Sequence, residues 1–187
     1  MWIYLAAGFW ALLAGAQLRS AITNYSVLPL LLAFENGLIG WRLLGRRHDA
    51  AAPQPGWVNL VAWGSVFLPL AIRIEGQTPL IASVVAGAGV ALTIWAILSL
   101  GPAFGIAPAD RGLVTKGPYR LIRHPMYTGA LINLLAAVGW NLGWWNIGIL
   151  VLVIASIVFR VYHEEKVIAG YSEYVVGVRW RVIPFVW

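Results

Sequence analysis

The stretch GPYRLIRHPMYTG, residues 117–129, places Arg120, Arg123 and His124 beside Pro125 and Tyr127. A second polar cluster, RVYHEEK, occupies Arg160–Lys166. A proline disfavours helical dihedrals in the residue before it, so Pro125 marks a helix start with His124 at the junction. Such a junction aims backbone N–H groups and side chains at an anionic ligand group. In the second cluster Arg160 and Glu164 are four residues apart, on one face of a helix. Glu164 and Glu165 would be adjacent carboxylates at a helix C-terminus, where the dipole disfavours anions, and a local violation of this kind marks a site. Both clusters also admit plain structural roles. The first could anchor the chain at lipid headgroups, and the second could hold an exposed Arg–Glu pair worth at most about 1 kcal/mol.

A ligand suited to both clusters would offer a cation to Glu164 and an anion to the arginines or the helix start. It would lay flat or apolar parts against Tyr119, Tyr127 and nearby tryptophans. S-adenosylmethionine has an ammonium, a carboxylate, ribose hydroxyls, an adenine and a sulfonium that aromatic faces attract. A nucleotide or a phospholipid headgroup satisfies much of the same description. Transfer of a methyl group from a sulfonium is an in-line displacement in which positioning does most of the work. A carboxylate acceptor would need no base and could be held bidentately by Arg160. An amine acceptor must lose a proton, with Glu165 or His163 as candidate bases.

The elements that must position these groups follow from composition. Of 187 residues, 60% are hydrophobic and 11% charged, with eleven Trp. A soluble domain averages about 25% charged residues, so the chain reads as an all-α, polytopic membrane bundle. Apolar runs predict six spans, at 1–18, 21–44, 57–72, 79–100, 126–140 and 144–161. The last two are joined by the short link NLGWWN as a tight hairpin. The first lacks the basic start of a secretory signal and is kept as a span. The link GRRHDAAAPQPG separates the second and third spans, and GPAFG ends the fourth.

With Met1 inside, eleven Lys and Arg residues (Arg42, Arg46, Arg47, Arg111, Lys116, Arg120, Arg123, Arg160, Lys166, Arg179, Arg181) fall on one face and two, Arg19 and Arg73, on the other. That bias places both termini in the cytoplasm and the two polar clusters on one side. The chain is expected to be a single membrane domain, with 1–100 as scaffold and 101–187 as the cofactor-binding half. The net charge of +6 is spread over span ends rather than one continuous face, which excludes a nucleic-acid-binding role. The absence of cysteine removes disulfide, thiolate and zinc–sulfur chemistry. His48, His124 and His163 lack paired metal spacing. Glu35, ionisable in mid-span, is either a residue lining a substrate tunnel, or a carboxyl neutralised by protonation or bonded to Asn24, Asn36 or Arg42. The GAG at 87–89 reads as a close helix-packing spot. Small residues in TGALINLLAAVG suit close packing within the bundle or between copies, which leaves the oligomeric state open.

The combination LVTKGPYRLIRHPMYTG, then R-x-x-x-EE, then G-Y-x-x-Y and R-x-I-P resembles the isoprenylcysteine carboxyl methyltransferases and the related membrane phospholipid methyltransferases. The resemblance covers roughly 100–184. It implies an S-adenosyl-L-methionine site at the cytoplasmic face, contacted by Arg111, Gly112, Leu113, Val114, Tyr119, His124, Pro125, Met126, Tyr127 and Glu164. It also implies that Arg160 is the substrate-side arginine and that the acceptor is lipidic or amphiphilic, reaching the site from the bilayer. The interval from Glu165 to Gly170 is shorter than is usual there, and the basic tail is thinner. The membrane sterol reductases, which bind NADPH, are similar in their C-terminal halves, but their RHPNYxGE is here Met126 and Thr128-Gly129-Ala130. A non-catalytic protein binding a lipid or nucleotide is the remaining alternative. Short loops and absent cysteines point to a prokaryotic plasma membrane.

Overall fold

The computed structural model describes residues 2–47, 54–75 and 78–187, and within them the chain is all-helical with no strand. The expectations attached to His48 and to most of the polar link around it lie outside the described residues. Seven helices follow in order: α1 (Trp2–Asn24), α2 (Val27–Leu44), α3 (Gly56–Ser65), α4 (Leu80–Leu100), α5 (Pro125–Trp140), α6 (Trp144–Val167) and α7 (Tyr171–Gly177). Four of them, α1, α2, α4 and α6, are long and apolar enough to cross a membrane.

The boundaries differ most from the sequence expectation in two places, while α2 also starts later, at Val27, and α6 runs on to Val167. The first helix does not stop at Leu18 but continues through exposed Arg19 to Asn24. It ends where Tyr25 takes a left-handed φ of 47° and the Ser26 amide reaches back to the Ala21 carbonyl. A long basic side chain at a helix end can keep its charge in water, so Arg19 need not terminate the helix. The third run is not one helix. After α3 a separate 3₁₀ turn covers Leu68–Ala71, because Pro69 cannot donate the amide that a continuous helix requires. The broken segment nevertheless follows the length of α6. Trp57 packs against Phe159 and His163 at one end, and the Trp145 indole donates to the Ala71 carbonyl at the other, 2.9 Å away.

α1 lies along α2, α2 along α4, and α4 along α5. The α4–α5 contact is close enough to be glycine-dependent. A β-carbon on Gly89 would lie 2.6 Å from the Gly129 carbonyl oxygen, and one on Gly129 would lie 2.4 Å from Thr93 Oγ1. This is the packing spot expected from the small residues. α5 and α6 share a core of Tyr127, Leu131, Leu134, Val138, Ile149, Val153, Ile157 and Val161, to which Val182 of the tail is added. The turn between them is pinned from outside the hairpin. Asn146 accepts from the Arg73 amide and donates to its carbonyl, while Asn141 accepts from the Glu75 amide. Arg73 therefore sits at the end of the bundle away from the polar clusters.

At 1.5 Å per residue, α6 is about 36 Å long against a hydrocarbon core of about 30 Å. Its last turn, with Glu164 and Glu165, thus projects beyond the apolar layer. α5 has only 16 residues, about 24 Å, which is shorter than that core.

Candidate active site

α4 ends at Gly101, and the chain from there to Pro125 wraps the end of the bundle without regular structure apart from short 3₁₀ turns. Gly117 opens one of these turns with φ +62°, and a β-carbon there would meet Ser99 Oγ at 2.3 Å. Only glycine lets the GPY turn lie on α4, and that placement buries Tyr119. His124 is the N-cap of α5, as Pro125 at the first helical position requires.

The tail then closes on this loop. Ile122 and Trp180 form a parallel bridge, and the amides of Arg123 and His124 donate to the carbonyls of Trp180 and Arg181, each at 2.8 Å. The Arg123 guanidinium donates to the Val178 and Arg179 carbonyls at 2.7 and 2.9 Å. Thr128 Oγ1 donates to Val182 at 2.6 Å. Buried backbone acceptors of the tail are thereby satisfied by an arginine, which supplies several donors in a fixed fork.

Between the loop and the end of α6 lies a cleft with about 700 Å³ of empty space, counting its open mouth. Leu100, Gly105, Arg111, Gly112, Leu113, Val114, Tyr119, Arg123, His124, Met126, Tyr127, Glu164, Ile168, Tyr171 and Tyr174 line it, with three alanines. Nine of the ten residues expected at the cofactor are on its wall. Pro125, fully buried beneath His124, is the exception.

His124 and Glu164 meet directly, with Nδ1 3.6 Å from the carboxylate. The Tyr127 hydroxyl donates to Glu164, and the Tyr127 ring stacks on His124 at 5.7 Å between centroids. These partners explain how a carboxylate is tolerated at a helix C-terminus. Burial disfavours the charged form of His124, but Glu164 and Glu165 outweigh it and raise its pKa above the ordinary 6.5. Burial likewise pushes the Tyr119 hydroxyl well above the usual tyrosine range and Tyr174 up to about 12. The tyrosine hydroxyls at the cleft are therefore neutral donors.

Three further site expectations land elsewhere. Arg160 is buried behind the cleft wall rather than on it. It forms no ion pair with Glu164 among the described residues, and the expected surface pair is absent. Its Nη2 donates to the Ile106 carbonyl at 2.7 Å and its guanidinium lies 4.9 Å over the Tyr127 ring. Its Nε is buried without a hydrogen-bond partner. Glu165 does not line the cleft but lies against the lining residues His124, Tyr171 and Arg123. Arg181 Nε donates to both of its oxygens at 3.0 and 3.1 Å, the Tyr171 hydroxyl donates at 2.8 Å, and Arg123 stands 3.5 Å away. Glu35 is half-buried in the middle of α2, away from the cleft lining and with no hydrogen bond to Asn24, Asn36 or Arg42 among the described residues.

The structure also adds residues the sequence did not single out. Tyr171 and Tyr174, the two tyrosines of GYSEY, both line the cleft. Tyr171 lies 3.2 Å from His124 Nε2, and Tyr174 donates to the Tyr119 carbonyl. Asp110 accepts from the amides of Gly112 and Ala169 at 3.0 and 3.3 Å, joining the two sides of the cleft. The paired tyrosine spacing was a usable signal; Asp110 had none.

Residues 79–171 match the family model described as phospholipid methyltransferase. No curated protein and no solved structure matches the chain. The matched region runs from the start of α4 to the start of α7 and contains every cleft-lining residue except Tyr174. The part of the chain that builds this cleft, just under half of it, thus matches the phospholipid methyltransferase family, the membrane methyltransferases that act on lipid-like substrates.

Proposed function

We propose that the protein transfers a methyl group from S-adenosylmethionine to a carboxylate of a lipidic or amphiphilic acceptor, in a cleft at the cytoplasmic face of a multi-pass bundle of about six spans with both termini inside. The observation that carries this reading is the pairing of His124, Tyr127 and Glu164 at the centre of the cleft. The residues present suit the donor. Glu164 offers a part-buried carboxylate to an ammonium group, Arg111 and the amides of Leu113 and Val114 suit an anionic group, and the faces of Tyr119, Tyr127 and Tyr174 suit a ring and a sulfonium. Bound there, S-adenosylmethionine supplies a methyl group on a positively charged sulfur.

The preference for a carboxylate rests on the state of the available bases. Glu165 is occupied by Arg181, Arg123 and Tyr171, so we assign it to fastening the tail rather than to proton removal. His124 keeps its proton to higher pH than an ordinary histidine. His163 hydrogen-bonds the Phe159 carbonyl and packs on Trp57, away from the cleft lining. An acceptor amine would have to lose a proton to one of these groups, whereas a carboxylate is already a nucleophile. Arg160, buried beneath Tyr127 behind the cleft wall, lends that wall a positive charge that suits an anionic acceptor. The family match favours methyl transfer over hydride reduction by NADPH.

N-methylation of a phospholipid amine is the second reading, supported by the description of the matched family. Purified protein incubated with methyl-labelled donor and either a carboxylate-bearing amphiphile or phosphatidylethanolamine separates them. An ester releases its label in mild alkali, and a methylated amine does not. Alkali-stable label on the amine alone would reject the carboxylate reading. Absence of saturable S-adenosylmethionine binding would reject both.

A further inference from the structure

The tail that closes the site carries an apolar tip that none of the described residues covers. Phe185 and Val186 are 85% and 75% exposed, and Ile183 and Leu121 beside them are also exposed. Their neighbourhood is fixed by named contacts. The Ile122–Trp180 bridge sets Leu121 beside Arg179. The Trp180 ring meets the Phe185 ring at 5.0 Å and the Arg179 guanidinium at 5.5 Å. Apolar side chains on a loop at the polar end of a bundle are unfavourable in water and call for an explanation.

Three observations bear on what covers them. First, the tip is held rigid, since the amides of Arg181, Val182 and Ile183 all donate to the Trp187 carbonyl, at 2.9–3.1 Å. Phe185 has a left-handed φ of +67°, a conformation that is an outlier for a bulky residue and persists only where the surroundings impose it. Second, the tip lies at the level of the first turn of α5. The Val182 carbonyl accepts from Thr128, and the Val182 side chain is buried against the α5–α6 core. Arg123, His124 and the Glu164–Glu165 pair gather at that level, which marks it as the polar end of the bundle. Third, the flanking exposed charges are cationic, Arg120 on the loop and Arg179 on the tail. The nearest exposed acid on this segment, Glu173, belongs to α7.

We propose that the tip of the tail, Ile183–Val186, is an interfacial wedge that inserts into the leaflet around the bundle and prefers anionic lipid, with Arg120 and Arg179 meeting the headgroups. Apolar side chains beside basic ones are the combination that binds at a bilayer interface, and basic residues near an anionic surface strengthen that binding. The wedge is independent of which acceptor the cleft takes. It gives the lipid surface a mechanical connection to the site, because the same segment supplies the carbonyls that hold Arg123 and His124.

The chain contains no cysteine, so a single spin label is introduced cleanly by Val186→Cys in the full-length protein, with Ser172→Cys on exposed α7 as reference. Each is reconstituted in phosphatidylcholine and in an equal mixture with phosphatidylglycerol. The expected result at 186 is loss of collisions with a water-soluble nickel complex and gain of collisions with oxygen, stronger in the anionic mixture. Position 172 should stay aqueous in both. Arg120→Gln with Arg179→Gln should remove the difference between the two mixtures while leaving the label at 172 unchanged. An aqueous label at 186 in both mixtures overturns the proposal. Dipolar broadening between labels at 186 on two copies also overturns it, by assigning the tip to a protein interface.

Discussion

Arg181 and Glu165 meet through both carboxylate oxygens, at 3.0 and 3.1 Å, and so tie the tail to the end of α6. The two partners are not equivalent. The Arg181 side chain is 40% exposed, whereas Glu165 is 14% exposed and also serves Arg123, Tyr171 and His124. Removing a shared buried acceptor strands several donors, and losing one partner of a buried pair costs about 3–5 kcal/mol. Losing an exposed partner costs about 1 kcal/mol or less. Glu165→Gln should therefore lower the apparent unfolding midpoint in detergent several-fold more than Arg181→Gln. Equal shifts would show that the pair acts alone rather than as part of a cluster.

Glu164 and Arg160 are expected to separate binding from turnover. Glu164→Gln keeps the shape of the Tyr127 contact but removes the charge facing the cleft, and should weaken donor binding about tenfold, equivalent to about 1.4 kcal/mol. Arg160→Lys keeps a charge but loses the planar fork. It should lower kcat with donor affinity close to wild type. Calorimetry of donor binding beside turnover with one acceptor checks both. A large affinity loss in Arg160→Lys would move that residue to the donor side.

The pH dependence follows from His124. Its folded pKa lies above 6.5 because two carboxylates outweigh its burial. Its contribution to stability is thus complete below pH 6.5 and is lost as pH rises through the folded value. Thermal stability should fall across that alkaline interval, and His124→Gln should flatten it. A wild-type protein that gains stability from pH 6.5 upward would contradict the arrangement.

The α4–α5 contact gives a prediction with its own control on the same helix. A methyl group on Gly129 would press on Thr93 and the Gly89 carbonyl, whereas one on Gly139 would meet nothing within 4 Å. Gly129→Ala should destabilise by about 1–3 kcal/mol through overpacking. Gly139→Ala should be neutral or stabilising by up to about 1 kcal/mol, since alanine favours the helix. Comparable effects at the two sites would show that the close approach is not maintained.

The cleft was readable in the sequence because its residues are local. Residues 124–127 carried the local signal of Pro125, and Glu164 betrays itself as an anion at the wrong helix end, whereas 111–114 entered only through the family resemblance, although one loop brings them to the same wall. What could not be read is what depends on distant partners. Nothing near Glu165 announces that Arg181 will claim it. Nothing in RVYHE tells that Arg160 turns from Glu164 to the Ile106 carbonyl. Hydropathy found the third apolar run but not its break, because averaging over a window hides the missing amide of Pro69. It also ended the first helix at Arg19, where charge matters less than the backbone turn at Tyr25.

The parallel bridge between Ile122 and Trp180 sets an order of events during biosynthesis. All six of α1–α6 leave the ribosome before the segment that bridges to the His124 loop, so the helices enter the bilayer with their catalytic mouth unsealed. The mouth is sealed only once residues 178–182 have emerged, and a nascent chain stalled after α6 would lack that seal.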